Sequence, residues 1–587
     1  MREFFNELKR RHVVRIGIAY LVVAWLLAQV VGLVSPTFAL PQWFPRAVLI
    51  LLAVGFPIAL LLTWGFEMTP EGVKRTDATP KKPEPMAEPK PAISATASST
   101  PSIAVLPFVD MSPDRDQEYF SDGLSEELLN KLAGLRGLRV AGRTSSFYFK
   151  GKNESLRTIG ETLGVAHILE GSVRKSGDMV RITAQLINAA DDYHLWSHTY
   201  DRMLDDIFAV QDEIAVAVTS ALEVTLGVGE LGRSPGMTRN VQAYDEFLRG
   251  RAADPTVSSA ADIRAAIGHF ERAVAIDPNF AAASLRLAYI YRMADVGALS
   301  TKIENAAARC DEAFQRAKEL TPDSPALLVM EGNGEMLRGN WLEADRLFQS
   351  ALSAAAGNEA IEGRPGQAYG NFLVVVGRID ESLGYLEHAR AIDPLDTNLA
   401  GRIAELYAAT GNFAAALAEI DRGMASADDQ QNLRGAGLMT ALVMGDREEI
   451  EKRLKLLLAY DTSIKLMAAI NAKMAQLLDD REAALKELRR LETDPATRTP
   501  IVRGAILVQW AAYFGDPDFA LELYRSLPMS VQRPYIFIVW RRVFREVRKR
   551  PGFKDLLRDV GLVDYWRATG KWADFCHPFG DKDFECE

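Results

Sequence analysis

Apolar and polar positions alternate along the second half of the chain with the period of packed helices. Residues 266–278 read AIGHFERAVAIDP and residues 382–394 read SLGYLEHARAIDP, identical at seven of thirteen positions. Small or apolar side chains fall four and then three apart (Ala266, Phe270, Ala273; Ser382, Leu386, Ala389), and Pro278 and Pro394 close the two phrases. Such spacing puts one stripe of each helix against its neighbour, and the proline ends the helix before the next begins. More degenerate copies of the pattern continue, so residues 241–530 are predicted to hold roughly seven to nine helix pairs stacked in a superhelix. A final stretch, 531–587, is expected to cap the apolar end of that stack and finish in a tail.

The period changes upstream. Residues 102–108 (SIAVLPF) and 138–141 suit buried strands, and 167–174, 178–188 and 192–201 are three further strand candidates. Ser176-Gly177-Asp178 makes a turn between the first two of these three. Helices are predicted from Ser121 or Asp122 to residue 135, with Leu124, Leu128, Leu129 and Leu132 on one face, and over 156–163 and 207–226. Strands alternating with helices imply an α/β or α+β layer domain over 102–226. Residues 76–101 are rich in Pro, Ala, Ser and Lys, a composition expected to remain a disordered tether, and 227–240 is expected to be a second linker.

Two uncharged runs open the chain, 16–34 and 47–66. At about 1.5 Å per residue each is long enough for a hydrocarbon core of about 30 Å. Arg2, Lys9, Arg10, Arg11 and Arg15 precede the first run, only Arg46 lies between the two, and Lys74, Arg75, Lys81 and Lys82 follow the second. Positive flanks stay on the cytoplasmic side, so residues 1–75 are read as a basic N-terminus and a two-span transmembrane hairpin in a lipid bilayer, with the body cytoplasmic. Ala24, Ala28 and Gly32 form a small-residue stripe on the first span. It would pack on the second span or, alternatively, on another subunit in a homo-oligomer.

The fold class is therefore multidomain: a transmembrane helical hairpin, an α/β (α+β) layer domain and an all-α superhelical solenoid. A formal net charge of −10 over 587 residues, with no concentrated basic face, argues against a nucleic-acid partner. Residues 227–232 match G-x-G-x-x-G, but a helix precedes them and Arg233-Ser234-Pro235 follows, so a linker is expected rather than a dinucleotide site. His194 and His198 on a strand would stand roughly 13 Å apart, too far to share one ion. Of the three cysteines, Cys576 and Cys586 lie close in the tail with His577; a reduced tail is the first reading, a disulfide the second and a metal the third. No catalytic residue, cofactor or metal site is assigned, and the chain is read as a non-enzyme.

Two resemblances sharpen this. The repeated phrase, with units such as GQAYGNFLVVVGRIDESLGYLEHARAIDP and NLAGRIAELYAATGNFAAALAEIDRGMA, resembles the tetratricopeptide family over roughly 300 residues. That resemblance implies a protein partner held along the inner wall, where register places Tyr289, Arg292, Gln367, Asn371 and Glu405. The segments SIAVLPFVDMSPDRDQEYFSDGLSEELLNKLAGLRGLRVAGRTSSFYFKGKN and LGVAHILEGSVRKSGDMVRITAQLINAADDYHLWSHTYDR resemble the TolB-amino-terminal-like (FlgO-type) domain. This implies an accessory or sensory domain without established catalytic residues. Neither a winged-helix DNA reader nor a cyclase domain is recognisable. With these resemblances the functional expectation is a scaffold or sensory adaptor anchored in a bacterial inner membrane, recruiting a protein partner through its repeats in signalling or envelope regulation; the alternative is a nucleotide- or small-ligand-responsive regulator, or a cyclase-linked accessory protein, with its ligand in 102–226.

Overall fold

The computed structural model describes residues 66–69, 72–75, 101–135, 137–222, 224, 236–253, 259–295, 301–356, 364–425, 431–458, 465–497, 502–580 and 582–587. The first span, the stripe of Ala24, Ala28 and Gly32, the tether and the glycine motif of 227–232 lie outside the described residues, as does the second span except for Phe66. Among the described residues no helix is long and apolar enough to cross a membrane. The chain divides into two compact units, Met1–Ala97 and Ser98–Glu587. In the first, β1 (Phe66–Thr69) pairs antiparallel with β2 (Gly72–Arg75). Phe66, expected as the last residue of the second span, instead opens β1. The charge of Glu67 interrupts the apolar run there.

The second unit begins with a sheet in the order β5-β3-β6-β7-β8. Its strands are β3 (Ser102–Val105), β5 (Arg139–Val140), β6 (His167–Ser176), β7 (Met179–Asn188) and β8 (Tyr193–Met203), and β4 (Val109–Asp110) adds a short pairing to β6. All four residues of β3 are buried, as an apolar run between two parallel neighbours requires. The β6–β7 hairpin turns through Gly177, whose φ of 58° opens the left-handed region that a side chain resists. One face of the sheet carries α1 (Glu118–Ala133) and α4 (Ile207–Ala221), with Leu124, Leu128, Leu169, Ile182 and Ile214 in a shared core. The other carries α2 (Arg143–Phe147) and α3 (Leu156–Leu163) over Ala104, Ile159 and Ile168. Helix α3 has the predicted bounds; Ser155 caps it by accepting the Thr158 N–H. Helix α1 starts earlier than Ser121, because Asp110 accepts the Gln117 N–H at 2.9 Å and fixes the entering turn. Ser121 and Ser125 instead donate their hydroxyls to carbonyls one turn back.

Eight helix pairs follow among the described residues: α5 (Val241–Ala252) and α6 (Ala260–Ile276), α7 (Ala281–Asp295) and α8 (Ala306–Leu320), α9 (Pro325–Arg338) and α10 (Trp341–Ala354), α11 (Pro365–Val375) and α12 (Ile379–Ile392), α13 (Thr397–Ala409) and α14 (Phe413–Ala425), α15 (Gln431–Met444) and α16 (Arg447–Leu458), α17 (Lys465–Gln476) and α18 (Arg481–Thr493), α19 (Val508–Tyr513) and α20 (Pro517–Arg525). Ala266, Phe270, Ala273, Ser382 and Leu386 of the repeated phrases are fully buried, as their spacing predicts.

Helices α21 (Met529–Tyr535), α22 (Arg545–Arg548), α23 (Pro551–Asp559) and α24 (Leu562–Thr569) and the hairpin of β9 (Cys576–Phe579) and β10 (Asp583–Cys586) complete the chain. They do more than cover the last repeat; they turn back to brace α10, α11 and α12. Trp341 Nε1 donates to the Val560 carbonyl at 2.8 Å, Trp540 Nε1 to Val375 at 3.2 Å and Trp566 Nε1 to Val376 at 3.0 Å. Tyr565 donates its hydroxyl to Asp345 at 2.8 Å. The reason is legible in α11 and the residue after it: Phe372, Leu373, Val374, Val375 and Val376 are apolar around the full circumference, and all are buried. Cys576 and Cys586 stand opposite each other in the β9–β10 register and are joined as a disulfide, which corrects the expectation of a reduced tail. Cys310 is buried and free.

The α/β domain meets the solenoid twice. Near the start, Tyr119 donates to Asp245 at 2.7 Å, Lys175 pairs with the same carboxylate at 3.1 Å, and Arg251 pairs with the buried Glu126. Further on, the stop phrase of the second repeat copy caps α2. Asp393 accepts the Ser145 N–H at 2.7 Å and the Ser145 hydroxyl, while Leu395 N–H donates to Ser145 Oγ at 2.9 Å. Gly142 N–H donates to the Ile392 carbonyl at 2.8 Å, and a Cβ on Gly142 would fall 2.5 Å from Asp393 Cγ. Arg364 pairs with Asp393 at 2.7 Å and Asp396 at 2.6 Å, and Leu395 joins the core beneath α3.

Asp393→Ala removes a buried charged acceptor from two donors and a guanidinium, and should destabilise the protein by about 3 kcal/mol. Urea denaturation measures the loss; hydrogen exchange of residues 143–147 should rise with it, while that of residues 241–252 holds.

Candidate functional site

The five residues predicted for the inner wall come from the first helices of their pairs, α7, α11 and α13. Their surroundings differ. Tyr289 is 38% exposed on α7. Arg292, one residue short of a turn further on, is half-buried and interacts with the Cys310 thiol; burial pushes that thiol up, with the guanidinium acting against it. Asn371 is half-buried on α11, and Gln367 accepts a 3.5 Å hydrogen bond from Arg364. Glu405 on α13 is already engaged. Its carboxylate pairs with Arg541 at 2.6 Å and with Arg402 at 3.0 Å.

Arg541 belongs to the returning C-terminal segment, and around its pair with Glu405 lies a narrow cleft of about 30 Å³. Ala408, Ala436, Met439, Trp510, Tyr513 and Gln509 line it, so it is apolar apart from one polar end. Arg541 also donates to Gln509, and its guanidinium and that of Arg402 lie over the Phe537 ring at 5.7 and 4.2 Å. The structure thus brings only Glu405 of the predicted wall into this cleft. Trp510, Gln509 and Arg541 were not singled out from the sequence; the signal was the run Val539-Trp540-Arg541-Arg542, basic and aromatic at once.

A second concavity opens on the α/β domain at the carboxyl ends of β3 and β4, about 1060 Å³ and open to solvent. Glu170, Ser172 and Gln185 form its floor on β6 and β7; Pro107, Val109 and Met111 form one wall and Phe149, Lys150 and Lys152 the other. Val109 and Met111 are 57% and 48% exposed, high for apolar side chains. Lys150 pairs with Asp122 and with Glu118 at 2.5 and 2.6 Å. Burial pushes the Glu170 carboxyl above its ordinary value, with His194 acting against it. His194 and His198 both lie on β8, and the His198 ring packs edge-on against Tyr200 at 4.6 Å.

Comparison with known proteins bears on both parts. Residues 98–216 match the family model described as the second domain of HilA/YgeH-like transcriptional regulators. Residues 376–442 match the tetratricopeptide repeat. The description under which the α/β domain matches is thus regulator-associated, where the sequence motifs resembled the TolB-amino-terminal-like domain. A protein of Rhizobium meliloti (strain 1021) described as "Putative adenylate cyclase 3" is 41% identical over 215 residues, 36% of this chain. The match spans only 36% of that relative's length as well. Among solved structures, PilW, a type IV pilus biogenesis factor, is 19% identical with a TM-score of 0.32, covering 39% of this chain and 99% of its own. PilF of Pseudomonas aeruginosa is 16% identical with a TM-score of 0.30, covering 38% and 94%. Scores of that size support nothing further about this chain. The helix pairs over residues 376–442 are nonetheless of the tetratricopeptide-repeat kind, a class of repeat whose stacked helices offer extended binding surfaces.

Two outcomes follow from this geometry. Arg541→Ala removes the pair that holds residues 536–544 to the wall, and hydrogen exchange across that segment should rise at least several-fold while that of residues 102–222 does not change. Glu170→Gln removes a carboxylate that burial disfavours. Because the folded-state value is raised, the native protein gains stability as pH falls through it toward that of a free glutamate. The variant should therefore melt higher than the native protein at pH 8, with the gap closing on acidification, as differential scanning calorimetry would read.

Proposed function

We propose that this protein is a membrane-anchored scaffold or sensory adaptor that recruits a protein partner through its repeats. The observation that carries the reading is the stacked helix pairs, matched as tetratricopeptide repeats over residues 376–442, whose wall is exposed at Tyr289 and closed by the chain's own Arg541 at Glu405. Recruitment then falls on the first half of the solenoid. Affinity would come from aromatic and apolar anchors, with the charged rim setting specificity. The α/β domain, of TolB-amino-terminal-like type, would supply the accessory or sensory role; its fixed contacts with the repeats give it a route to alter the wall.

Anchoring rests on the two uncharged runs, 16–34 and 47–66, and the basic residues flanking them favour a body in the cytoplasm. A second orientation, with the body on the oxidising side, is favoured by the Cys576–Cys586 pairing, since structural disulfides are rare in the cytosol. A topology reporter fused after Arg75 separates the two: activity from a cytoplasmic reporter alone supports the first, from an exported reporter alone the second.

A ligand-responsive regulator is the second functional reading, favoured by the open cleft above Glu170. The deciding experiment is photocrosslinking in cells from a probe at Arg292, at Asn371 and at Glu405. One defined protein adduct at Arg292 or Asn371, with none at Glu405, is the expected result. If no position yields an adduct in folded, membrane-associated protein, the scaffold reading fails. A thermal shift with nucleotides that Met111→Asp abolishes would then favour the cleft.

A further inference from the structure

We propose that β8 is a docking edge for a second copy of this chain, the two strands pairing antiparallel about Thr199. The strand is eleven residues long, it ends the sheet, and among the described residues no strand pairs with its outer side. Residues 193–200 carry no Lys, Arg, Asp, Glu or Pro, residues by which exposed sheet edges ordinarily avoid added strands, and the bulge at Leu195 lies outside the regular stretch 196–203. Side chains 197, 198 and 199 are all exposed, so among the described residues none covers the edge there.

The phase of the ladder determines which backbone groups are available. Leu204 N–H donates to the Asp178 carbonyl at 2.7 Å, in line with the β7–β8 register. Antiparallel pairs alternate, so Tyr200 and His198 exchange both of their main-chain bonds with β7. Ser197, Thr199 and Asp201 take the other pairs and turn N–H and carbonyl outward; the Asp201 carbonyl accepts from the Arg202 guanidinium at 3.1 Å, and the groups of Ser197 and Thr199 are the ones an extended strand can complete.

What favours a second copy is that this strand complements itself. With Thr199 on the two-fold axis, Ser197 faces the second copy's Asp201 and Trp196 faces its Arg202. Over the regular stretch 196–202 no like charges meet, and Leu195, bulged out of the ladder, takes no part. Moving the axis to Asp201 or Arg202 sets like charges against each other, and only the axis at Thr199 brings Asp201 to the Ser197 hydroxyl and Arg202 to the Trp196 ring. These pairings select one register.

The test is oxidative crosslinking of the full chain in cells. Thr199→Cys puts two thiols across the axis, about 5.5 Å apart at Cα, within reach of a disulfide. Ser197→Cys leaves its two copies roughly 14 Å apart. The expected result is a disulfide dimer from Cys at 199 and at least ten-fold less from Cys at 197. Thr199→Pro deletes an N–H that β7 does not use, so it should leave folding intact and lower co-purification of two differently tagged chains about ten-fold. Absence of a dimer from position 199, or equal yields from 199 and 197, would overturn the proposal. So would capture of a different protein alone at 199, which would mark the edge as a receptor for a partner's extended segment.

Discussion

A turn of helix that is apolar on every side must be covered on every side, and the end of α11, Phe372 to Val375 with Val376 beyond it, imposes that requirement on the solenoid. Its neighbours in the stack cover two flanks. The rest is covered by the C-terminal segment, whose Trp540 and Trp566 each bury a large ring and satisfy a carbonyl at the end of that helix. The C-terminal segment therefore has to turn back onto the middle of the solenoid, and in doing so it brings Arg541 to Glu405. What looks like a terminal cap is dictated by five residues in the middle of the chain.

Closing part of the wall narrows the functional possibilities. A solenoid open along its length offers one continuous surface; here the fifth pair is occupied by the chain's own residues, and the second keeps Tyr289 exposed. The α/β domain holds the fold at two further places, through Asp245 near the first helix pair and through Asp393 after the fourth. A signal received by that domain and a partner held by the repeats would thus act on the same mechanical body.

The periodicities carried the helix pairs, the layer domain and most strand bounds, because spacing along one element suffices to define each of them. Helix α3 and the Gly177 turn are legible residue by residue. Long-range matters were not. The start of α1 depends on Asp110 reaching Gln117, α2 depends on a carboxylate from a residue far along the chain, and the disulfide depends on a hairpin register that cysteine spacing alone leaves open. Glu405 was read from register as a wall position; its engagement by Arg541 is a contact between segments 136 residues apart. Register says where along a helix a residue falls; whether its side chain is vacant depends on the path of another segment.

The stop phrase Ala-Ile-Asp-Pro forms a joint at each of its two occurrences. At Asp277 its carboxylate accepts from Thr238, beside the solenoid's own entry; at Asp393 the same carboxylate seats a helix of another domain. Since the α/β domain also grips α5, the chain from α5 to α12 forms the arc of a closed ring whose circumference is counted in repeats. Tandem repeats ordinarily lengthen or shorten by whole units with little cost elsewhere. This arc has lost that freedom: adding or deleting one pair between Asp245 and Asp393 would carry the second anchor away from Ser145, so copy number here is set by geometry.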